Sequence, residues 1–282
     1  MRQDRSPAGN LWYGILPAVL LVAAFFAVPI GYMGLLSMKA PGTESWTLDN
    51  YRAFFGNDVY TAALGRTLFM SLAVVVFASI LAFVLTYFLV YVAHPRRSAI
   101  YLLVLVAPFW TSFAIRAFSW QLVLADGGLV AWVFEQLTGS QPHFKFLYTM
   151  GASILGLTLF GTILISLLIF SVMATIDRRL IDASADLGAS RWKTFWEVIL
   201  PLSLPGWCIG AVLTFIVCVG DYAVPTLLGG GFKPVLAQLM LSILKGTYDL
   251  PIAATFGVVL MALVALATLP LLMAVRHVRL QA

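Results

Sequence analysis

The sequence predicts an all-α membrane protein with six transmembrane helices. Of its 282 residues, 61% are hydrophobic and only 10% are charged, whereas about a quarter of the residues in a soluble domain are charged. Six stretches are apolar over the roughly 20 residues that a helix needs to cross the hydrocarbon layer of a bilayer. This composition excludes a water-soluble enzyme, a disordered chain, a nucleic-acid-binding protein and a disulfide-linked scaffold.

The six predicted spans follow one another with no segment between them that is large enough for an aqueous domain. The first is too long for the apolar region of a signal peptide, so we expect it to be retained. The sequence thus predicts an N-terminal tail (residues 1–10), one membrane domain (11–275) and a C-terminal tail (276–282). In chain order, the spans cover residues 11–38, 67–93, 98–125, 146–176, 202–224 and 250–275.

Lysine and arginine are unequally divided between the two sides of the predicted spans. With a cytoplasmic N-terminus, the cytoplasmic segments contain ten of these residues and the opposite segments contain six. Because segments rich in lysine and arginine tend to stay in the cytoplasm, we expect both tails to be cytoplasmic. The formal net charge of +5 then lies on the cytoplasmic face, where it meets anionic lipid or a cytoplasmic partner.

Two loops on the predicted outer side contain further helical patterns. Residues 47–56 end in a glycine, which is typical of a helix C-terminus, and they predict a short interfacial helix. Residues 126–145 combine Gly127 and Gly128 with an apolar pattern that includes Trp132, and they predict a second surface-lying element. Neither loop contains a nucleophile with a base or a metal-ligand cluster, so we expect both to be packing elements.

The cysteine and histidine residues indicate neither a disulfide nor a metal site. Cys208 and Cys218 lie in one predicted span and would be ~15 Å apart along a helix, which is beyond the reach of a disulfide. We therefore expect two buried thiols. The three histidines are scattered along the chain without the spacing of metal ligands, so we expect no metal site.

The longest cytoplasmic segment, residues 177–201, predicts two helices joined by a turn. Asp177 can cap a helix over 178–187, and Gly188 stands where a helix ends, because glycine adopts the left-handed conformation without a steric clash. Ser190 can cap a second helix with one apolar stripe. That stripe consists of Trp192, Phe195, Trp196 and Ile199, and the prolines expected to interrupt the run after it are Pro201 and Pro205. On spacing alone, an interfacial helical hairpin accounts for this pattern.

Part of this segment resembles the EAA signature of permease subunits of ABC importers. That signature reads Glu-Ala-Ala, three residues, Gly, nine residues, Ile, one residue and Leu-Pro. The corresponding residues are Asp182-Ala-Ser-Ala-Asp-Leu-Gly188 and, after nine further residues, Val198-Ile-Leu-Pro201. Asp182, Ser184 and Val198 depart from the signature but keep its charge, size or branching.

Other parts of the chain are similar to the spermidine/putrescine permease subfamily of these importers. The similarity in the third span runs from Pro108 to Arg116 and includes Trp120. Residues 200–206 and 220–230 look like the fifth span of that subfamily and the loop after it. The resemblance covers most of the chain. It implies a type I importer permease fold in a bacterial inner membrane, with polyamines or a related small cation carried into the cytoplasm by alternating access.

The resemblance also implies that the glycine-turn segment is a coupling helix, which docks in a groove on a cytoplasmic ATPase subunit and moves with it. Two acids four residues apart can meet basic groups of that partner, and Ile181, Ala185 and Leu187 offer an apolar surface. The residues expected to couple the chain to the ATPase are Asp182, Ala183, Ser184, Asp186, Leu187, Gly188, Leu200 and Pro201.

The partners follow from the same resemblance. The chain contains no G-x-x-x-x-G-K-S/T pattern, which forms the phosphate-binding loop of many ATPases. ATP and Mg are therefore expected on two separate ABC ATPase subunits, with no catalytic residue and no cofactor on this chain. A second permease subunit, related but different, and a periplasmic or extracellular solute-binding protein complete the expected set. The chain is then a transport subunit and not an enzyme.

Two charged residues lie within predicted spans, where a charge costs at least ~2.5–3.5 kcal/mol on insertion scales. Arg116 and Asp221 predict either a structural ion pair or, for Asp221, a counter-charge for a cationic cargo on the translocation path. Arg116 is then expected to orient Asp221 or a loop carbonyl. Gly220 and Pro225 indicate a broken helix around Asp221, which is tolerated where the backbone lines a cavity. Nearby aromatic residues either offer cation–π faces to the cargo or form an ordinary aromatic belt; they are Tyr222, Trp120 and Trp110.

Three other functions stay open at this stage. Relatives with similar coupling loops import ferric ion, thiamine, phosphonates or opine-like compounds, so a different cargo is the first alternative. A secondary transporter would be expected to contain inverted repeats and more ionisable groups in its spans. An intramembrane enzyme would need a nucleophile with a base, or a metal cluster, whereas Asp221 is the only acid in the predicted spans.

Overall fold

The computed structural model describes residues 16–42, 45–140 and 145–279, and these ranges are all-helical apart from turns, loops and one isolated β-bridge between Lys39 and Trp46. The predicted all-α class is therefore confirmed. The predicted N-terminal tail (1–10), the first residues of the first span (11–15) and the end of the C-terminal tail (280–282) lie outside the described residues.

Apart from a short 3₁₀ turn over Ala107–Trp110, the described ranges contain twelve helical segments, which we number in chain order. They are α1 (Leu16–Ser37), α2 (Asp49–Gly56), α3 (Asp58–Val92), α4 (Pro95–Val106), α5 (Phe113–Leu124), α6 (Leu129–Thr138), α7 (Met150–Met173), α8 (Arg178–Asp186), α9 (Arg191–Gly220), α10 (Ala223–Gly229), α11 (Leu236–Gly246) and α12 (Leu250–Arg279). Six stretches within them are long and apolar enough to cross a membrane, which confirms the predicted number of spans. They comprise α1, α3, α5 with α6, α7, α9 and the first part of α12.

Helices α2 and α6 are the two loop helices that the sequence predicts. Helix α2 ends at Gly56, as expected from residues 47–56. Helix α6 begins after Gly128 and is followed by Gly139 with a left-handed φ of 70°. Of the predicted segment 126–145, residues 141–144 lie outside the described part of the chain. Helix α6 also forms part of the third membrane-length stretch, whereas the sequence predicts only a surface-lying packing element there.

The prediction of one continuous third span over 98–125 is wrong. Helix α4 ends at Val106, a 3₁₀ turn follows over Ala107–Trp110, and Thr111 is extended before α5 begins. Pro108 contributes to the break, because it has no N–H to donate to a carbonyl of the preceding helical turn. The membrane-length stretch is instead Phe113–Thr138.

The predicted interruption of the fifth span at Pro201 and Pro205 is also wrong, since α9 passes through both prolines. A π-helical turn over Phe195–Ile199 lies just before Pro201, and there the N–H of Leu200 bonds to the carbonyl of Phe195. This turn changes the hydrogen-bonding register of the helix immediately before Pro201, which has no backbone N–H to donate. The helix thus accommodates the prolines within one run of 30 residues.

The helices fall into two compact units. One comprises Met1–Thr61 and Met240–Met261, and the other comprises Ala62–Leu239 and Ala262–Ala282. In the first unit, the rings of Phe54 and Tyr60 each pack edge to face on Phe256, with both pairs of ring centroids 4.8 Å apart. These aromatic contacts form the centre of that unit.

In the second unit, helices α7 and α9 pack closely because glycines face the contact. A Cβ atom at Gly206 would lie 2.5 Å from the carbonyl oxygen of Leu168, and one at Gly210 would lie 3.0 Å from the Cα of Ile165. Small residues allow this approach between helices that have no hydrophobic driving force in lipid. The α7–α9 pair is therefore a closely packed part of the unit that carries the candidate sites.

Candidate functional site

The segment between α7 and α9 has both helix caps that the sequence predicts. The side chain of Asp177 accepts a hydrogen bond from the N–H of Arg179 at 2.9 Å, which caps α8. The Ser190 hydroxyl accepts from the N–H of Lys193 at 3.3 Å, which caps α9. Each cap satisfies an N–H group that has no partner within its own helix.

Gly188 closes α8 through a Schellman motif. It has a left-handed φ of 79°, and its N–H donates to the carbonyl of Ala185 at 2.9 Å. The N–H of Ala189 donates to the carbonyl of Ser184 at 3.1 Å, which completes the pair of bonds that defines this motif. A Cβ atom at Gly188 would meet nothing within 4 Å. The turn therefore needs glycine for its backbone conformation and not for space.

Helix α8 protrudes, and none of its residues is buried. Leu187, just after it, has 89% of its surface exposed. Asp182, Ala183 and Asp186 are also exposed. Ile181 is an exception, since it packs on a buried cluster that includes Ile169 and Ile199. The expectation that Ile181 belongs to the outward-facing apolar surface is therefore wrong.

Ser184 attaches the inner side of α8 to the start of α9. Its hydroxyl lies 3.0 Å from the Thr194 hydroxyl in a hydrogen bond, and Thr194 is buried. This bond links residues on either side of the glycine turn. Sequence reasoning missed Thr194, because a threonine ten residues away carries no signal of this contact.

The apolar stripe expected on α9 differs from the structure at its last member. Trp192, Phe195 and Trp196 pack together, with ring centroids 5.7–6.2 Å apart. The π-helical turn then changes the register, so Leu200 continues this face while Ile199 is buried. Leu200 and Pro201, the last residues of the predicted coupling set, thus lie inside a continuous helix.

Arg116 lies on α5 with its guanidinium over three phenylalanine rings. Its Cζ atom is 5.5 Å from the ring centroid of Phe109, 5.6 Å from that of Phe113 and 5.4 Å from that of Phe160. Its Nε is buried and has no hydrogen-bond partner in the described part of the chain. Cation–π attraction stabilises such a charge by ~0.5–2 kcal/mol, depending on its desolvation. Aromatic faces therefore offset the partial burial of this cation.

Asp221 serves as a helix cap and is not paired with Arg116. Its two carboxylate oxygens accept hydrogen bonds from the N–H of Ala223 at 2.9 Å and the N–H of Val224 at 3.2 Å. Among the described residues, no ion pair joins Arg116 and Asp221, so the predicted pair is wrong. The predicted break is present, because α9 ends at Gly220 and α10 begins after Tyr222. A carboxylate has about four lone-pair sites, so this capping leaves Asp221 able to accept further hydrogen bonds.

The candidate path residues are only partly brought together. Trp120 and Arg116 line one apolar cavity of about 440 Å³ between α5 and α7. Asp221, Tyr222 and Trp110 do not line it, and Trp110 is 75% exposed. The sequence also missed Phe160, which reaches Arg116 from a different span.

Neither cysteine belongs to a site. Cys208 and Cys218 are buried free thiols, as predicted. Over the ranges that the structure describes, no group of three or more His, Cys, Asp or Glu side chains could hold a metal ion.

Comparisons with known proteins cover most of the chain. Residues 66–280 match the family of binding-protein-dependent transport system inner membrane components. The inner membrane ABC transporter permease protein YdcU of Escherichia coli (strain K12) is 32% identical over 270 residues, which cover 91% of this chain and 84% of YdcU. The spermidine/putrescine transport system permease protein PotB of Haemophilus influenzae is 27% identical over 220 residues, covering 78% and 76% of the two chains.

A solved structure is similar in fold. It is the bacterial alginate ABC transporter in complex with an alginate pentasaccharide-bound periplasmic protein, and one chain of it superposes with a TM-score of 0.78. The superposition covers 98% of this chain and 95% of that chain at 16% identity. At this identity the likeness concerns the fold, and it agrees with the type I importer permease architecture expected from the sequence.

Proposed function

This chain belongs to the family of binding-protein-dependent transport system inner membrane components, and from that premise we propose that it carries solute through an ATP-driven importer by alternating access. It is an ABC importer permease, a multi-pass inner membrane protein and not an enzyme. The proposal concerns how this permease is driven, what it carries and which residues do the work.

The observation that carries the proposal is the protruding helix α8 with its left-handed glycine. Its inner side is attached to the chain by Ile181 and Ser184, whereas Leu187 points into solvent with 89% of its surface exposed. An element that transmits movement from a separate ATPase needs one side fixed to the transport helices and one side free to be gripped. We assign that role to Asp182, Ala183, Ser184, Asp186, Leu187, Gly188, Leu200 and Pro201.

The proposed partners complete the transport cycle. Two ABC ATPase subunits bind ATP and Mg and contact α8 from the cytoplasm, where both termini also lie. A second, related permease subunit forms the other half of the pathway, and a periplasmic or extracellular solute-binding protein delivers the cargo. The similarity to a transporter solved with its periplasmic protein supports this last partner.

We propose a polyamine or a related small organic cation as cargo. The similarity to PotB supports this choice, and Asp221 supplies a carboxylate with unused lone pairs at the break between α9 and α10. Tyr222, beside it, is half-exposed and adds an aromatic face for a cation. A different cargo carried by the same importer class is the alternative.

The decisive experiment purifies the transporter through a tag on this chain and reconstitutes it with its solute-binding protein in liposomes. Uptake that requires ATP and persists when ion gradients are collapsed supports the proposed mechanism. Uptake that follows an ion gradient without ATP contradicts it. Competition by putrescine, spermidine, an amino acid and a phosphonate then identifies the cargo class.

Asp221→Asn tests the proposed cation contact and keeps part of the helix cap, because asparagine is a favoured cap residue and its one carbonyl oxygen can replace one of the two carboxylate acceptors. Loss of polyamine uptake in an assembled complex supports the contact. Unchanged uptake removes Asp221 from the path. Asp221→Ala, which removes both the charge and the cap, measures the structural part of the effect.

A further inference from the structure

Helices α3 and α9 enclose an apolar groove at the end of the bundle that carries α8. This α3–α9 groove has a volume of about 640 Å³. Its walls include Phe83 of α3 and the three large aromatic side chains at the start of α9, namely Trp192, Phe195 and Trp196. Trp192 is 70% exposed and Trp196 is 51% exposed. The Trp207 indole N–H donates to the Ser79 hydroxyl at 2.8 Å, so these two polar groups of the groove are paired with each other.

A second cavity, which is polar, adjoins this groove under α8. It has a volume of about 520 Å³ and contains Arg178 together with the tyrosine Tyr91. Tyr87 and Arg191 line both cavities, so the two spaces are adjacent at these residues. We call this second space the Arg178 cavity.

Arg178 and Arg191 carry positive charges that the described residues leave without an ion pair. Lys193, on the same helix end, is paired with Glu197 at 3.9 Å. Among the described residues that line the Arg178 cavity, Asp182 is the only acid and Arg178 and Arg191 are both basic, so this lining carries a net positive charge. Guanidinium groups recognise phosphate oxygens through charge-assisted hydrogen bonds.

We propose that these two spaces form one binding site for an anionic phospholipid of the cytoplasmic leaflet. The phosphate diester lies between Arg178 and Arg191, and one acyl chain lies along Trp192 and Trp196 in the α3–α9 groove. Aromatic residues favour the boundary between headgroup and hydrocarbon, and basic pockets at the ends of membrane helices bind anionic headgroups. The combination of an aromatic, apolar groove with two unpaired arginines at one end matches such a lipid in both polarity and charge.

This inference deepens the proposed function and rests on its assignment of α8 to the cytoplasmic side. The lipid would contact α8 through Arg178 and the start of α9 through Arg191, so it bridges the two helices that meet at the glycine turn. Binding then stiffens the connection between the proposed ATPase contact and the fifth membrane stretch. Anionic lipid is expected to raise the amount of cargo transported per ATP hydrolysed.

The test uses the whole transporter in nanodiscs of phosphatidylcholine with increasing phosphatidylglycerol, and native mass spectrometry of the lipids that stay bound. The part of the tryptophan quenching by dibrominated phosphatidylglycerol that is lost when Trp192 and Trp196 are replaced by phenylalanine reports occupancy of the groove. Arg178→Gln with Arg191→Gln removes both proposed phosphate contacts. Arg179→Gln is the matched control, since Arg179 is an exposed arginine next in sequence that does not line the Arg178 cavity.

The double variant is expected to retain one phosphatidylglycerol molecule fewer in native mass spectrometry. It should also need a phosphatidylglycerol content at least about tenfold higher for half-maximal quenching, because it has lost charge-assisted hydrogen bonds. Arg179→Gln is expected to behave like the parent protein. Equal retention of phosphatidylcholine and phosphatidylglycerol, or an equal loss in the Arg179 control, overturns the proposal. A photocrosslinking residue placed at position 196 that reacts with a second permease chain, and not with lipid, also overturns the proposal. None of these measurements needs ATP or cargo, so this proposal can fail while ATP-driven transport is upheld.

Discussion

Replacing Gly188 with valine is expected to uncouple ATP hydrolysis from transport. The residue has a φ of 79°, and a Cβ atom there would meet nothing within 4 Å. The effect therefore arises from the backbone alone. A left-handed conformation costs a residue with a Cβ atom roughly 1–2 kcal/mol, and a β-branched residue is a clear outlier in this region.

This energy is enough to change the population of the turn. A cost of 1–2 kcal/mol lowers an equilibrium population by about 5- to 30-fold. Asparagine adopts the left-handed conformation more readily than other residues with side chains. We thus expect transport per ATP hydrolysed to fall in the order glycine, asparagine, alanine, valine, although alanine is smaller than asparagine.

The assay measures uptake and ATP hydrolysis by the same reconstituted transporter. Gly139 provides the matched control, because it also follows a helix with a left-handed φ, 70°, and has nothing within 4 Å of its Cβ position. Gly139→Val imposes the same backbone strain far along the chain from α8. Normal coupled transport by an assembled Gly188→Val protein, or an equal loss in both glycine variants, would refute the coupling role of this turn.

Three further predictions use pairs of variants. Gly206→Ala places a Cβ atom 2.5 Å from the backbone of α7 and should lower the melting temperature of the complex. The control Gly65→Ala, whose Cβ atom would have nothing within 4 Å, should leave the melting temperature unchanged or raise it by the equivalent of ~0.5–1 kcal/mol. Equal effects of the two variants would contradict the close α7–α9 packing. Thr67→Val removes the hydroxyl that accepts from the buried N–H of Leu236 at 2.9 Å, and it should lower the free energy of unfolding by ~1–3 kcal/mol. Thr214→Val removes a buried hydroxyl that has no partner in the described ranges and should leave the free energy of unfolding unchanged or raise it. The reverse order in thermal unfolding would refute these hydrogen-bond assignments. Ser184→Ala should lower the free energy of unfolding by ~0.5–1.5 kcal/mol and should also lower coupled transport. A double-mutant cycle with Thr194→Val should give an interaction energy of ~1 kcal/mol. If the effects of the two substitutions simply add, the hydroxyl pair does not join α8 to α9.

Features that depend on local sequence or on total hydrophobicity could be predicted. The number of membrane-length stretches follows from hydropathy, because each needs about 20 apolar residues whatever its neighbours are. The caps at Asp177 and Ser190 and the turn at Gly188 also follow from sequence, since their hydrogen bonds join residues no more than five positions apart.

Features that depend on register or on distant contacts could not be predicted. The two prolines of α9 indicate a break, but a single π-helical turn over Phe195–Ile199 lets the helix continue. Two opposite charges in apolar surroundings suggest an ion pair, yet Phe160 from another helix approaches Arg116 and backbone N–H groups bind Asp221. Each charge has a partner that the linear pattern does not reveal.

The course of α9 relates the two candidate sites to each other. Its first turn is tied to α8 by Thr194, and it ends at Gly220, next to Asp221. A helix of 30 residues is about 45 Å long at 1.5 Å per residue, and its glycine-rich face holds it against α7. Under the proposed function, a partner that moves α8 therefore acts on one end of a rod whose other end carries the proposed cargo contact. The helix that continues through both prolines is thus more suitable for transmitting movement than the interrupted one expected from the sequence.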